Sequence, residues 1–171
     1  MKLIKIICSL LVIFAVLTLP LWLKLYVVNG SSMDPTLTSG TIMLVDTLSL
    51  KFISPHRGEL LVIRNPHATY TTHEVDVKRV IGLPGETVHV RPDSVAINDT
   101  VYDSQTTIGG GGKSATNGIS FDMVLGPHDY FVLGDNRADS SDSRLFGAVQ
   151  QSDFIGRAAV SVWPLWRFTI L

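Results

Sequence analysis

Two adjacent serines stand where the chain could do chemistry. Ser31 and Ser32 lie in the segment VNGSSMDPTL, residues 28–37, directly after the most apolar part of the chain. A serine hydroxyl is a weak nucleophile, and it attacks a substrate only when a neighbouring group takes its proton. The first question is therefore which side chain is that base.

Histidine is the usual base in proteins, and the chain has five histidines. None of them stands at a spacing typical of a catalytic site. We expect all five to be surface or structural residues: His56, His67, His73, His89 and His128.

Lysine is the other candidate base. Lys78 lies in VDVKRVIGLPGE, a β-branched run followed by a Gly-Leu-Pro-Gly turn. An exposed lysine has a pKa of about 10.4 and is charged at neutral pH, whereas burial disfavours the ammonium and lowers that pKa by up to several units. Arg79 cannot replace it, because a guanidinium does not lose its proton in a protein. An ordinary solvent-facing strand lysine fits the same residues.

A third polar segment follows an apolar strand. Residues 134–147, GDNRADSSDSRLFG, are dense in Asp, Ser, Asn and Arg. Such a loop can supply the hydrogen bonds that buried polar groups need, as a serine–lysine pair would require. A solvated turn has the same composition, so composition does not separate the two interpretations.

An uncharged segment near the N-terminus predicts a membrane anchor. Residues 6–23, IICSLLVIFAVLTLPLWL, carry no charge, and about 20 helical residues cross a bilayer. The exit sequence TLPLWLKLYVV is bulky and lacks the small-x-small pattern of a cleaved signal peptide. Lys2 and Lys5 before it favour a cytoplasmic N-terminus.

Three regions follow from this interpretation. We expect a cytoplasmic N-terminus over residues 1–5, a transmembrane anchor over residues 6–25, and an exported domain over residues 26–171.

Charge and cysteine content exclude several classes of protein. The chain has 14 basic and 15 acidic residues, so it lacks the basic bias of a nucleic-acid surface. Its single cysteine, Cys8, excludes an intramolecular disulfide and a multi-cysteine metal site. We expect no metal and no cofactor.

The exported part has the pattern of a mainly β domain. Short apolar runs are broken by Gly, Pro, Asn and Asp, and no helical period extends over ten residues. A Pro-Asp turn between two alternating runs predicts a hairpin. The glycine-rich residues 107–118 predict an exposed, mobile loop. The predicted strands are residues 41–46, 59–64, 75–81, 86–90, 94–98, 129–134 and 154–163.

In this order, the segments resemble the sequence boxes of type I signal peptidases, the membrane-bound Ser-Lys endopeptidases of family S26. SSMDPTL resembles the serine box S-M-x-P-T, and RGELLVIRNP resembles the R-G-[DE] box. VKRVIGLPGE resembles the lysine box, and GDNRADSSDSR resembles G-D-N-x-x-x-S-x-D-S-R. With the anchor, these boxes span most of the chain. The resemblance implies a mainly β fold, with a single N-terminal transmembrane helix followed by an extracytoplasmic β-rich catalytic domain of the signal peptidase type.

The resemblance also implies residue roles. Ser32 matches the nucleophile and Lys78 the general base, while Ser140 matches a serine that hydrogen-bonds and orients the lysine amine. The expected substrate-binding residues, which would help line a small S1 pocket, are Met33, Leu37 and Val77.

Further matches concern the surroundings of the pair. Asp142 and Arg144 match a structural ion pair, with Arg79 as a candidate third member, and Gly134 matches the glycine that lets the polar loop approach the lysine strand. Some family members carry a second serine two residues before the nucleophile that assists the oxyanion hole. Here that position is Gly30, so the hole would rely mainly on the backbone N–H of Ser32.

The implied activity is removal of N-terminal signal peptides from exported preproteins, after small P1 and P3 residues, through an acyl-enzyme. The implied place is the bacterial cytoplasmic membrane, with the catalytic domain on the outer face. Preproteins, the lipid bilayer and the secretion translocon would be the partners, and nucleic acid would not.

Three other functions remain open from sequence. A peptidase dedicated to one secretion or pilus system would carry the same boxes. A membrane-tethered β-domain scaffold without catalysis predicts that Ser32 and Lys78 can be replaced without functional loss. A self-cleaving Ser-Lys repressor would share the pair, but it predicts a DNA-binding N-terminus in place of the apolar segment.

Overall fold

The computed structural model describes residues 2, 4–10, 22–65, 74–92, 94–104 and 119–171. The predicted glycine-rich loop, two of the five histidines, and residues 11–21 of the predicted anchor lie outside the described residues. Those two histidines are His67 and His73.

The N-terminal region is helical over residues 4–10. Among the described residues, no helix is both long enough and apolar enough to span a membrane. Residues 23–25, which we expected to complete the anchor, lie in a β-strand. Lys24 ends the uncharged run inside this strand, so the boundary lies close to the end of that run and not at residue 25.

Within the described residues from 23 onward, twelve strands and one short α-helix form the domain. The strands are β1 (Leu23–Val27), β2 (Ile42–Asp46), β3 (Leu60–Arg64), β4 (Val75–Gly82), β5 (Thr87–Arg91), β6 (Ser94–Ile97), β7 (Thr100–Ser104), β8 (Phe121–Val124), β9 (Asp129–Leu133), β10 (Val149–Gln150), β11 (Phe154–Trp163) and β12 (Thr169–Ile170). The helix is α1 (Ser143–Phe146), and 3-10 turns cover Ser49–Lys51, Gln151–Asp153 and Leu165–Arg167.

The strands form two antiparallel sheets. The larger sheet has the order β1-β2-β11-β3-β4-β9-β10, with β12 paired to β11, and the smaller sheet has the order β7-β6-β5-β8. Strand β4 pairs with β3 along Val75–Arg79, but it meets β9 only from Arg79 onward. The first part of β4 therefore has a free edge among the described residues.

Side-chain alternation accounts for these strands. In β2, Met43 and Val45 are buried and their neighbours are half-buried, as expected for a strand with one core face. In the central strand β3, Leu60 and Val62 pack in one core cluster, while Leu61 and Ile63 pack in another. An apolar strand without alternation is thus explained by burial on both faces.

A third core cluster joins the two sheets. It contains Ile81 at the end of β4 together with Val88 and Val90 of β5. Gly82 makes this junction close, because a Cβ there would lie 2.8 Å from Leu125 Cδ1 and 2.9 Å from Phe131 Cβ. Strand β4 therefore belongs to the larger sheet and also supports the smaller one.

The mainly β prediction is confirmed. All seven predicted strands are present with ends within one residue of those expected, and the predicted hairpin is the β5–β6 pair, in which Arg91 faces Ser94. The sequence missed five strands, namely β1, β7, β8, β10 and β12. Two of these have only two residues, too short to show a period.

Candidate active site

Ser32 lies in a tight turn between β1 and β2. The Asp34 N–H donates to the Ser31 carbonyl at 3.0 Å, and the Leu37 N–H donates to the Met33 carbonyl at 2.9 Å. Met33 and Leu37 are almost fully buried in the core, so they fix the turn to the domain. This arrangement leaves the half-buried Ser32 at a fixed point on the surface of the core.

Lys78 reaches Ser32 from strand β4. Its Nζ lies 3.1 Å from Ser32 Oγ, and the residue is only 2 % exposed. Across the sheet it pairs with the buried Leu61. Among the described residues, no histidine contacts Ser32: His56 bonds to Glu59 and His89 bonds to Asp122.

Burial lowers the pKa of Lys78 below its ordinary value of 10.5. The carboxylates of Asp76 and Asp142 act in the opposite direction, and the guanidinium of Arg144 adds to the lowering. Since removal from water is the largest effect, the neutral amine becomes available at a lower pH than for a surface lysine.

An ion pair organises the polar loop after β9. Asp142 is fully buried, and Arg144 donates to it from Nε at 2.8 Å and from Nη2 at 2.7 Å. The same carboxylate accepts the Gly134 N–H at 3.0 Å and the Arg144 N–H at 3.2 Å, where it caps helix α1. The expected Asp142–Arg144 pair is therefore present.

The polar loop also holds the serine turn directly. The Asn136 N–H donates to the Ser32 carbonyl at 3.0 Å, and Asn136 Nδ2 donates to the Ser31 carbonyl at 3.1 Å. Ser31 Oγ donates to Asp139 Oδ2 at 2.5 Å. Our sequence analysis did not single out Asn136 or Asp139, although both lie inside the segment that resembles the fourth box.

Gly134 stands at the closest approach of loop and turn. A Cβ at this position would lie 2.5 Å from the Ser32 carbonyl oxygen and closer still to Ser140 Oγ. Any side chain larger than hydrogen would push the loop away from the serine. This contact agrees with the expectation that Gly134 allows close packing, although the neighbour it meets is the serine turn.

The expectation for Arg79 is wrong. Its guanidinium binds Asp135, with Nε–Oδ1 at 2.7 Å and Nη2–Oδ2 at 2.6 Å, and it donates to the Gly58 carbonyl at 2.7 Å. Neighbouring residues on a strand point to opposite faces, so Arg79 cannot share the surroundings of Lys78. It does not join the Asp142 pair.

The expected hydrogen bond from Ser140 to Lys78 is not formed. Ser140 Oγ is buried, and it has no hydrogen-bond partner among the described residues. The hydroxyl packs against Gly134, and Lys78 Nζ bonds to Ser32 Oγ instead.

A cleft of about 430 Å³ opens beside Ser32. Met33 and Val77 lie on its wall, as expected, but Leu37 is fully buried in the core and does not line it. The residues that line this cleft are Tyr26, Val27, Val28, Asn29, Ser32, Met33, Met43, Glu74, Val75, Asp76 and Val77.

The arrangement contains the groups that a serine hydrolase with a lysine base would need. A hydroxyl, a buried amine within hydrogen-bond distance and an adjoining cleft are the parts that acyl transfer needs. In the described part of the chain, no group of three or more His, Cys, Asp and Glu side chains could hold a metal ion.

Comparison with known proteins places the chain in a family. Residues 1–163 match the model of the family described as signal peptidase, peptidase S26. The chain therefore belongs to this family. It is 34 % identical over 147 residues to a probable signal peptidase I-2 of Synechocystis, covering 84 % of this chain and 65 % of the relative, just under two thirds. It is 36 % identical over 155 residues to a signal peptidase I of Bacillus caldolyticus, covering 84 % of this chain and 81 % of the relative.

A crystal structure of a signal peptidase I from Enterococcus faecalis is also similar. It matches at 30 % identity with a TM-score of 0.49, covering 61 % of this chain and 97 % of that chain. The sequence relatives over most of the chain support a serine peptidase that removes signal peptides. They do not favour the scaffold or the single-client alternative.

Replacing Lys78 with Met tests its burial through stability. Because the pKa of Lys78 is lowered in the folded state, burial of its charged amine reduces the free energy of unfolding at low pH. This reduction disappears as pH rises from the folded-state pKa to 10.5. We expect Lys78→Met to raise the free energy of unfolding by on the order of 1–4 kcal/mol at neutral pH, by analogy with apolar replacements of buried charges. The gain should shrink as pH approaches 10.5.

Thermal melts of the full chain in detergent, recorded from about pH 6 to about pH 10, measure this difference. The control is Lys24→Met, the same change at an exposed lysine of β1, for which we expect a small effect. A stability difference for Lys78→Met that does not change with pH would contradict the assigned burial.

Proposed function

We propose that Ser32 is the nucleophile and Lys78 the general base in the cleavage of signal peptides from exported preproteins. The observation that carries this proposal is the 3.1 Å contact between Lys78 Nζ and Ser32 Oγ, made by a lysine that is 2 % exposed. A buried amine loses its charge at a lower pH than a surface lysine, and here it lies within hydrogen-bond distance of the hydroxyl whose proton it must accept.

The proposed reaction has two stages. Neutral Lys78 takes the proton of Ser32 Oγ as the oxygen attacks the carbonyl carbon of the P1 residue. The resulting ammonium returns that proton to the nitrogen of the mature protein, which leaves as the amine. Lys78 then takes a proton from water, the hydroxide attacks the acyl-enzyme, and Ser32 is released with its proton restored.

The oxyanion that forms in both stages needs a hydrogen-bond donor. The Ser32 N–H forms no hydrogen bond among the described residues, so it is open to the developing charge. Gly30 offers no hydroxyl, and the hydroxyl of the intervening Ser31 is bound to Asp139. We assign the Ser32 N–H as the main donor, since backbone donors of this kind stabilise tetrahedral intermediates strongly.

The free edge of β4 gives the substrate a place to bind. The Asn65 N–H bonds to the Glu74 carbonyl, and Val80 exchanges bonds with Glu59 and Gly58, so alternate residues of this strand point their main-chain groups toward β3. The main-chain groups of Val75 and Val77 therefore point to the opposite edge, into the cleft. An extended preprotein segment binds there as an added strand.

The apolar lining selects small residues upstream of the cut. Val77 and Met33 form part of the wall of the cleft beside Ser32. An apolar wall beside the nucleophile favours small apolar side chains at P1 and P3. We propose Ala-like residues at both positions. No cofactor takes part in this scheme.

A second surface of the domain supports a location at the membrane. We propose that an apolar face rests on the outer leaflet of the bacterial cytoplasmic membrane, with the uncharged segment as anchor and the N-terminus in the cytoplasm. The face consists of exposed apolar residues near β1 and β12: Leu25, Val27, Trp163, Leu165, Trp166, Phe168 and Ile170. Large exposed apolar patches mark interaction surfaces, and Trp is enriched at membrane interfaces. The secretion translocon would deliver preproteins to the same membrane.

Cleavage by the full chain in detergent tests the catalytic assignment. We expect the parent to cut a preprotein after a small P1 residue, and Ser32→Ala and Lys78→Met to lose at least about 10³-fold in kcat/KM, as for other catalytic nucleophiles and bases. Ser31→Ala is the matched control at the adjacent serine, and we expect it to lose less than about tenfold because Ser31 contributes a hydrogen bond and no bond making.

Two results would contradict the assignment. Normal cleavage by a folded Lys78→Met variant would show that another group is the base. A larger loss for Ser31→Ala than for Ser32→Ala would move the nucleophile by one residue.

Tryptophan fluorescence tests the membrane contact. In the full chain with Trp22 and Trp163 changed to Phe, Trp166 is the only tryptophan left. We expect lipids brominated near the headgroup to quench Trp166 in vesicles and aqueous iodide to quench it weakly. Strong iodide quenching without quenching by the brominated lipid would place this face in water.

A further inference from the structure

Asp76 lies beside the pair and has no evident structural role. It stands two residues before Lys78 on β4, it is half-buried, and it lines the cleft. In the pairing of β4 with β3, Asp76 lies opposite Ile63, whose apolar side chain cannot form a hydrogen bond. Within the described part of the chain, its carboxylate forms neither an ion pair nor a hydrogen bond. A half-buried carboxylate that lines a cleft and has no partner among the described residues is available to a ligand.

Strand geometry fixes the direction in which Asp76 points. Residues two apart on a strand lie on the same face, so Asp76 shares a face with Lys78, whereas Val75 and Val77 lie on the other. Val75 and Val77 pack against the core cluster that contains Met33. The cleft therefore has an apolar side and an acidic side, divided by the free edge of β4.

Successive side chains of a substrate strand bound to this edge contact the two sides of the cleft in turn. Directly opposite residues of paired strands carry their side chains on the same face. The substrate positions opposite Val75 and Val77 therefore point to the apolar side, and the proposed function assigns these to P1 and P3. The positions between and beyond them, P2 and P4, then point to the side that carries Asp76.

We propose that Asp76 is a specificity-determining residue that favours a cationic side chain, Lys or Arg, at P2 or P4. This proposal rests on the proposed function, because it uses the same cleft and the same substrate direction. A carboxylate that is partly removed from water attracts a nearby cation more strongly than a fully solvated one, and it repels an anion. Lys78 does not compete for this carboxylate in the active form of the enzyme, because its amine is then neutral.

Peptide cleavage by the full chain in detergent micelles tests the proposal. The peptides carry Ala at P1 and P3 and differ only in having Lys, Gln or Glu at P2, or the same three residues at P4. We expect kcat/KM of the parent to be about fivefold higher for Lys than for Gln at one of these positions, and lower for Glu. Asp76→Asn should make the Lys and Gln peptides equal, and Asp76→Lys should favour Glu.

Each comparison is the ratio of the kcat/KM values of two peptides cleaved by the same enzyme. Any effect of the variant on folding or on the basicity of Lys78 therefore cancels. Asp99→Asn removes the same charge from a 95 % exposed side chain in the turn between β6 and β7, and this control should keep the preference of the parent.

The outcomes separate the two proposals. Equal cleavage of Lys and Gln peptides by the parent, or a Lys preference that survives in Asp76→Asn, overturns the role of Asp76 while cleavage itself still supports the peptidase. A parent that cuts no peptide faster than Ser32→Ala overturns both.

Discussion

The removal of Lys78 from water is the constraint on which the rest of the structure depends. An amine on a strand edge is normally charged and solvated, and it is useless as a base. Here β3 covers it from one side with Leu61, and the serine turn covers its end with Ser32. The core clusters on both faces of β3 serve this purpose, because they hold β4 and the turn at a fixed separation.

Burying an amine also requires polar surroundings that do not restore its charge. The Asp142–Arg144 pair meets this requirement, since its carboxylate raises the pKa of Lys78 and its guanidinium lowers it. The pair therefore organises the loop through four hydrogen bonds to one carboxylate while its two charges oppose each other at the amine. The Asn136 N–H then holds the Ser32 carbonyl against this loop through a hydrogen bond. The proposed substrate binding at the free edge of β4 uses the same arrangement, because β9 pairs with β4 only from Arg79 onward.

Sequence predicted the parts of this structure that have local signals. Short apolar runs bounded by turn residues indicated seven of the twelve described strands, and the resemblance pointed to Ser32 and Lys78, which are 46 positions apart. Side-chain partners were less accessible: Arg79 belongs with Asp135, and Ser140 does not bond to Lys78. Such side-chain pairings depend on which face of a strand packs against which loop, and this packing cannot be predicted from the composition of the segments. Strand β1 was missed for another reason: residues 23–25 were assigned to the anchor, although Lys24 already ends the uncharged run.

The titration of Lys78 is the most direct test of this account. The ¹³Cε resonance of Lys78 can be followed by NMR in the full chain with labelled lysine, assigned by its loss in Lys78→Met. The account predicts that the pKa of Lys78 lies clearly below its ordinary value of 10.5, and that the rise of cleavage activity with pH follows the same transition. Titration of Lys78 at the ordinary value would contradict it, because the amine would then be charged and solvated at neutral pH and Ser32 would have no base.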